Sequence, residues 1–376
     1  MQLQTSEKIA MYTSSSLRGA KETGGVKRFK ELVCFLPTLC DLTLISDDED
    51  SLFGESIKHI RTDVQGADSS EISLWLRNRK VLREIKKQNF DHIIVFDVPP
   101  MMGLVLSRVP HLTLMVRKDL IGYNKILFQD FNTPMLVRKI KTAFLQYCEA
   151  VCLKQAEKII VQCMYDKEQL ILRHPHLARE LERKTVVQIN NVNPSWMKTI
   201  PVDKKKQNPF FTVGCVSDFS STRKGCRLFL ESVAKLMDCG HEFKAVIAGN
   251  GNLLEECQIK YSKYRNIEFA GRIPDPVSFI RKCDLAVVPS YADSCPNTVM
   301  EALYAGTPVI GSIAGGIPEI LDNQEALFEL DAEHLCDRIQ MYMNPSNREN
   351  LQQQQKQRTQ ELTFDWVQKI LSIVVR

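Results

Sequence analysis

The chain has 376 residues, 44% hydrophobic and 25% charged, with a formal net charge of +4. This length leads us to expect two domains, and the apolar content is ample for two cores. No arginine-rich tract, zinc-ligand spacing or aromatic–basic interleaving accompanies the mild basic excess, so nucleic acid is set aside as a partner. The twelve cysteines include no C-x-x-C pair, and no metal site is expected. Several cysteines sit in apolar runs, which suits reduced thiols in a cytoplasmic protein. Met1–Lys8 lacks an apolar signal core, and no run of about 18 apolar residues occurs, so any membrane contact is expected to be peripheral.

In chain order, the first half offers strands at Lys8–Ser14, Asp41–Ser46, His92–Asp97, Leu112–Arg117, Lys158–Gln162 and Thr185–Asn190. The second half offers Thr212–Ser217, Lys244–Gly249, Ile267–Gly271, Asp284–Ser290, Thr307–Ser312 and Ala326–Leu330. These runs are rich in Val and Ile and mostly lack period-2 polarity, the pattern of strands buried on both faces of a parallel sheet. Helical patterns intervene at Leu74–Lys87, Val137–Ala156, Lys224–Cys239 and Val277–Lys282. The alternation occurs twice, which predicts an α/β chain of two doubly wound, Rossmann-like domains. The first is placed at 1–193 and the second at 209–362. Between them, 194–208 holds two prolines and three successive lysines and reads as a solvated linker. A final helix is expected over 363–376, capped by Thr363 or Asp365.

Ligands of such sheets gather at the carboxyl ends of the strands, and five stretches there carry candidate chemistry. Gly24-Gly25 follows the first strand and would let backbone approach a ligand closely, or is merely a flexible loop. Arg117-Lys118-Asp119 ends the fourth strand, as a ligand contact or a solvated loop start. Arg223-Lys224 follows the first strand of the second half and could neutralise a diphosphate. Gly249 and Gly251, with Arg272-Ile273, end the next two strands and could line a nucleotide pocket.

The fifth stretch is the richest. Asp293 lies in a loop, and Glu301 lies inside the helix expected to start near Pro296 or Asn297. Helix amides and the dipole make an anion site there, with the two acids beside it to accept hydrogen bonds from hydroxyls. The plainer alternative makes Thr298-x-x-Glu301 a capping box and Asp293 a turn residue.

Taken together, the motifs resemble those of retaining glycosyltransferases of family 4. Asp293-Ser-Cys-Pro-Asn-Thr-Val-Met-Glu301 is similar to the family's acid-x7-Glu signature, and Ala305-Gly306-Thr307-Pro308-Val309 follows it. Arg223-Lys224-Gly225, Ala248-Gly249-x-Gly251 and Gly315-Gly316-Ile317-Pro318-Glu319 stand around it in order. The resemblance covers Phe211 to Asp331 well and the first half weakly. It implies a GT-B fold, two Rossmann-like domains facing across a cleft, with the final helix crossing back to the first.

The resemblance also assigns roles. Arg223 and Lys224 would stabilise the leaving diphosphate, Glu301 would bind ribose, and Asp293 would hold hydroxyls of the transferred sugar. Ser294, Cys295, Pro296, Asn297 and Thr298 would contact sugar and phosphate, with the base near Arg272 and Ile273. Gly24, Gly25 and Lys118 would complete donor binding. The implied reaction moves a hexose or N-acetylhexosamine from a nucleotide-diphosphate sugar to a glycan or lipid-linked acceptor, without metal or other cofactor. UDP is favoured over GDP. Three departures stand out: Cys215 follows Gly214 where relatives carry Arg, Lys118 stands where they carry His, and Asn191 replaces a turn glycine, since Asn tolerates a left-handed backbone. The Cys215 and Lys118 departures keep open a non-catalytic sugar-nucleotide binder or partner subunit on the same fold. Arg138, Lys139 and Lys141, on a helix with Leu136, Val137, Ile140, Phe144 and Leu145, suit either an anionic membrane at the inner face or an ordinary amphipathic helix.

Overall fold

A computed structural model describes residues 4–15, 17, 24–47, 57–63, 71–192 and 210–376. The linker expected at 194–208 lies outside these residues.

The described strands form two sheets. β1 (Lys8–Thr13), β2 (Asp41–Ser46), β3 (Lys58–Arg61), β4 (His92–Phe96), β5 (Leu112–Val116), β6 (Lys158–Val161) and β7 (Thr185–Val187) pair in the order β3-β2-β1-β4-β5-β6-β7. β8 (Thr212–Val216), β9 (Lys244–Ala248), β10 (Ile267–Gly271), β11 (Leu285–Val288), β12 (Val309–Ser312) and β13 (Leu327–Phe328) pair in the order β10-β9-β8-β11-β12-β13. Every neighbouring pair is parallel. The cause is in the runs themselves. Ile93, Ile94, Val95 and Phe96 are all buried, as are Leu285, Ala286, Val287 and Val288, so both faces of each sheet need covering helices.

Each sheet reverses its order once, between β1 and β4 and between β8 and β11. At such a switch point, loops from adjacent strand ends depart to opposite sides and leave a crevice.

The chain divides into two units, 1–121 with 135–189 and 365–376, and 122–134 with 190–364. Thus 122–134 groups with the second unit although its sequence lies in the first half. Within the first unit, the last helix, Trp366–Val375, is capped by Asp365, whose carboxylate accepts from Gln368 N at 2.9 Å. Lys158 Nζ donates to Val374 O at 2.7 Å, and the Arg28 guanidinium lies 5.5 Å from the Trp366 ring centroid.

Several local expectations change. β3 adds a strand that the apolar-run reading omits. The helix expected from Lys224 starts at Cys226, after a separate 3-10 turn, Thr222–Lys224. Thr298 is not a cap, because the helix Asn297–Ala305 has Pro296 at its N-cap. Asn191 is not left-handed; its side-chain amide instead donates to Phe364 O at 2.6 Å.

Candidate functional site

The second unit assembles its site from four strand-end loops. The turn Thr222–Lys224 follows β8, and Ser221 caps it by accepting from Arg223 N at 3.3 Å. Gly225 closes the turn at φ +70°, where a Cβ would lie 1.8 Å from Pro289 O, the carbonyl just beyond β11. Only glycine permits this approach. Tyr291 N donates to Arg223 O at 2.8 Å, which ties the β8 and β11 loops together. Gly249 and Gly251, after β9, pack so closely on Ser217 and Phe219 that a Cβ at either would stand 2.0 and 2.2 Å from their backbone. Gly315, after β12, lies against Asp293, and Gly316 N donates to Asp293 O at 3.0 Å.

These contacts bring Arg223, Lys224 and Asp293 together. Lys224 Nζ bonds Asp293 Oδ2, and Arg223 Nη1 lies 3.6 Å from the same oxygen while donating to Ala292 O at 2.8 Å. Burial pushes the Asp293 carboxyl up. The Lys224 and Arg223 charges, the Lys224 bond and the Cys295 amide more than offset this and hold it below the usual carboxylate range. Two cations sharing one carboxylate leave the cluster net positive, at the switch point where anionic ligands are expected. The helix Asn297–Ala305 begins four residues beyond Asp293, with the positive end of its dipole leading. Ser294, Cys295 and Pro296 are buried beneath that end, and Asn297 and Thr298 form its first turn, half-buried.

Glu301 stands in the second turn of this helix and is 4% exposed. Arg272 is exposed and Ile273 half-buried, just past Gly271, whose carbonyl accepts from Gly249 N at 2.8 Å. Cys215 supplies no cation. It is buried, and burial beside Cys226 and Cys283 pushes its thiol far above the usual range.

The first unit holds Gly24, Gly25 and Lys118. Gly24 and Gly25 open the helix Gly24–Phe35, and a Cβ on Gly25 would lie 2.6 Å from Arg117 Nη1. Arg117 therefore lies against Gly25, and the neighbouring Lys118 is exposed. Its Nε and Nη2 donate to Asp97 Oδ2 at 3.1 and 2.5 Å, and its backbone N to Oδ1 at 3.2 Å. Asp97 has φ 72° and ψ 168°, a region that side chains other than glycine rarely enter. The sequence reading did not single it out; a lone acid ending the β4 run, two residues before Pro99-Pro100, was the available signal. Asp119 turns inward, with Arg173 Nη1 at 2.7 Å. Arg173 also grips Glu149 at 3.0 and 3.1 Å.

Residues 211–344 match the family described as Glycosyl transferases group 1, a span that contains every second-unit site residue named above. Protein CapJ of Staphylococcus aureus is 24% identical over 60% of this chain and 58% of its own length. An alpha-1,4-N-acetyl-D-galactosaminyltransferase of Campylobacter jejuni, named for a glycan on diphospho-undecaprenol, is 21% identical over 64% of each chain. The chain thus spans less than two thirds of the length of these relatives. Among solved structures, Anabaena HepE in complex with UDP-glucose superposes with a TM-score of 0.72 at 17% identity, covering 98% of each chain. The fold is GT-B, and the relatives matched in sequence include glycosyltransferases.

Proposed function

We propose that this chain is a metal-independent retaining glycosyltransferase of family 4. It moves a hexose or N-acetylhexosamine from a nucleotide-diphosphate sugar, UDP before GDP, to a glycan or lipid-linked acceptor in cell-surface polysaccharide or glycoconjugate synthesis. The observation that carries the reading is the cluster of Arg223, Lys224 and Asp293 at the β8–β11 switch point. As the glycosidic C1–O bond breaks, negative charge grows on the diphosphate. Arg223, Lys224 and the dipole of the Asn297–Ala305 helix are the groups that stabilise it. Asp293 holds both cations in place beforehand and takes hydroxyls of the sugar. The acceptor oxygen attacks from the face the leaving group occupies, and its proton passes to the departing diphosphate. A UDP-sugar donor is favoured because HepE, which shares the fold, is in complex with UDP-glucose.

Ligand binding stabilises the native state by mass action, by about 2.7 kcal/mol at a hundredfold excess over Kd, and so raises its melting temperature. In the presence of EDTA, UDP is expected to raise the Tm of the intact chain by about 5–10 °C. Glu301→Ala should lose most of that shift. No shift with UDP, GDP or their sugars on the intact chain contradicts the reading.

We also place the chain at the cytoplasmic face of a membrane, through the helix Met135–Gln155. At 100° per residue, Leu136, Ile140 and Tyr147 fall within about 40° of one another. Phe144 and Leu145 of this helix pack against the core, as in an ordinary amphipathic helix, but the Leu136, Ile140 and Tyr147 stripe is 69%, 61% and 63% exposed, with exposed Lys139 and Lys141 on the same helix. Cosedimentation with phosphatidylglycerol vesicles checks this: Leu136→Glu with Ile140→Glu should weaken binding about tenfold or more. An intact chain that stays in the supernatant removes the membrane from the account.

A further inference from the structure

The turn that presents Arg223 and Lys224 is held by a segment nearly a hundred residues earlier in sequence. The helix Leu120–Asp130 ends on Asp130, whose carboxylate accepts from both donors of Thr222. Thr222 N lies 3.0 Å from Oδ2 and Thr222 Oγ1 lies 2.6 Å from Oδ1. Seven residues back on that helix, and so on the same face at 3.6 residues per turn, Tyr123 sets its ring 5.3 Å from the Arg223 guanidinium carbon. Residues 122–134 belong to the same unit as the turn. A carboxylate at a helix C-terminus opposes the helix dipole. The two Thr222 donors offset that cost at this position.

Resting on the reading above, we propose that Asp130 and Tyr123 are positioning residues for the diphosphate-binding turn. Asp130 fixes the backbone of the turn at Thr222, one residue before Arg223. Tyr123 fixes the plane of the guanidinium, whose Nη1 is already committed to Ala292 O. With both in place, the cations are preorganised before the donor arrives, so binding orders fewer side chains. Neither residue need touch the donor itself.

The test is a double-mutant cycle read by calorimetric titration of the full chain with UDP, and GDP in parallel. Tyr123→Leu should weaken nucleotide binding about 5–30-fold, the range of a partly desolvated cation–π contact. Tyr123→Phe keeps the ring and should keep wild-type affinity. In an Arg223→Met background, Tyr123→Leu should add little, because the group it orients is gone. Asp130→Ala should weaken binding by a similar factor. Thr222→Val, which loses only the hydroxyl donor, serves as a milder second variant if Asp130→Ala does not fold. Additive losses from Tyr123→Leu and Arg223→Met, or full affinity in Asp130→Ala (in Thr222→Val where Asp130→Ala does not fold), overturn the proposal while leaving the transferase reading intact. An intact chain that binds neither nucleotide overturns both.

Discussion

Lys224→Ala is expected to lower kcat about a hundredfold to a thousandfold, the usual loss when one preorganised stabiliser of a developing anion is removed. KM for the donor should rise less than kcat falls, because the charge that Lys224 meets is greatest on the departing diphosphate. Stability should change as well. Asp293 is largely buried and, among the described residues, keeps only Arg223, at 3.6 Å, as a cationic partner. Breaking a fully buried pair costs about 3–5 kcal/mol, and this pair is neither fully buried nor left without a second cation, so about 1–2 kcal/mol is expected. The sign of the pH dependence follows from the lowered folded-state value of Asp293. A depressed carboxyl contributes stability above its unfolded value, ordinarily near about 3.9. That contribution is lost as pH falls through the lower folded value. The Tm gap between the wild type and Lys224→Ala should therefore be full near neutrality and close as the pH falls below the carboxylate range. A gap that widens on acidification, or a kcat within threefold of wild type, contradicts the assignment.

The second large effect is structural. Gly225→Ala would place a Cβ 1.8 Å from Pro289 O at a φ of +70°. Left-handed strain costs about 1–2 kcal/mol, and the carbonyl cannot move without shifting the end of β11. About 3 kcal/mol or more is expected in total, a Tm loss of about 6–12 °C. Gly306 offers the matched comparison, with φ +68° but nothing within 4 Å of its Cβ position. Gly306→Ala should cost the strain alone, about 1–2 kcal/mol. Equal Tm losses for the two variants would mean that the approach of the turn to β11 contributes nothing.

The sheet strands were legible because parallel strands buried on both faces leave unbroken apolar runs. β3 was not: Lys58-His-Ile-Arg61 is an edge strand, half-exposed along its length, and carries one aliphatic residue. Predicted strands also overran their carboxyl ends, at Ser14, Asp97, Arg117, Gln162, Ser217 and Gly249. Those are the residues that leave the ladder to form the crevices, and hydrophobicity does not report where pairing stops. Arg223, Lys224 and Asp293 could be read because charged residues followed apolar runs directly, in an order that a family signature also carried. Their mutual contact could not be read, since 69 residues separate Lys224 from Asp293. Asp130 and Tyr123 were less visible still. Nothing local in an apolar helix shows that its last acid meets a threonine 92 residues away. Only the packed fold supplies that pairing.

The most direct measurement follows the anomeric proton. The chain is incubated in EDTA with the UDP-sugar that gives the largest thermal shift, with water as the default acceptor, and the first-formed sugar is observed by proton NMR before it mutarotates. The account predicts an α-anomer from an α-linked donor, at a rate that falls with Lys224→Ala. A β-anomer appearing first, or turnover that stops when EDTA is added, contradicts it.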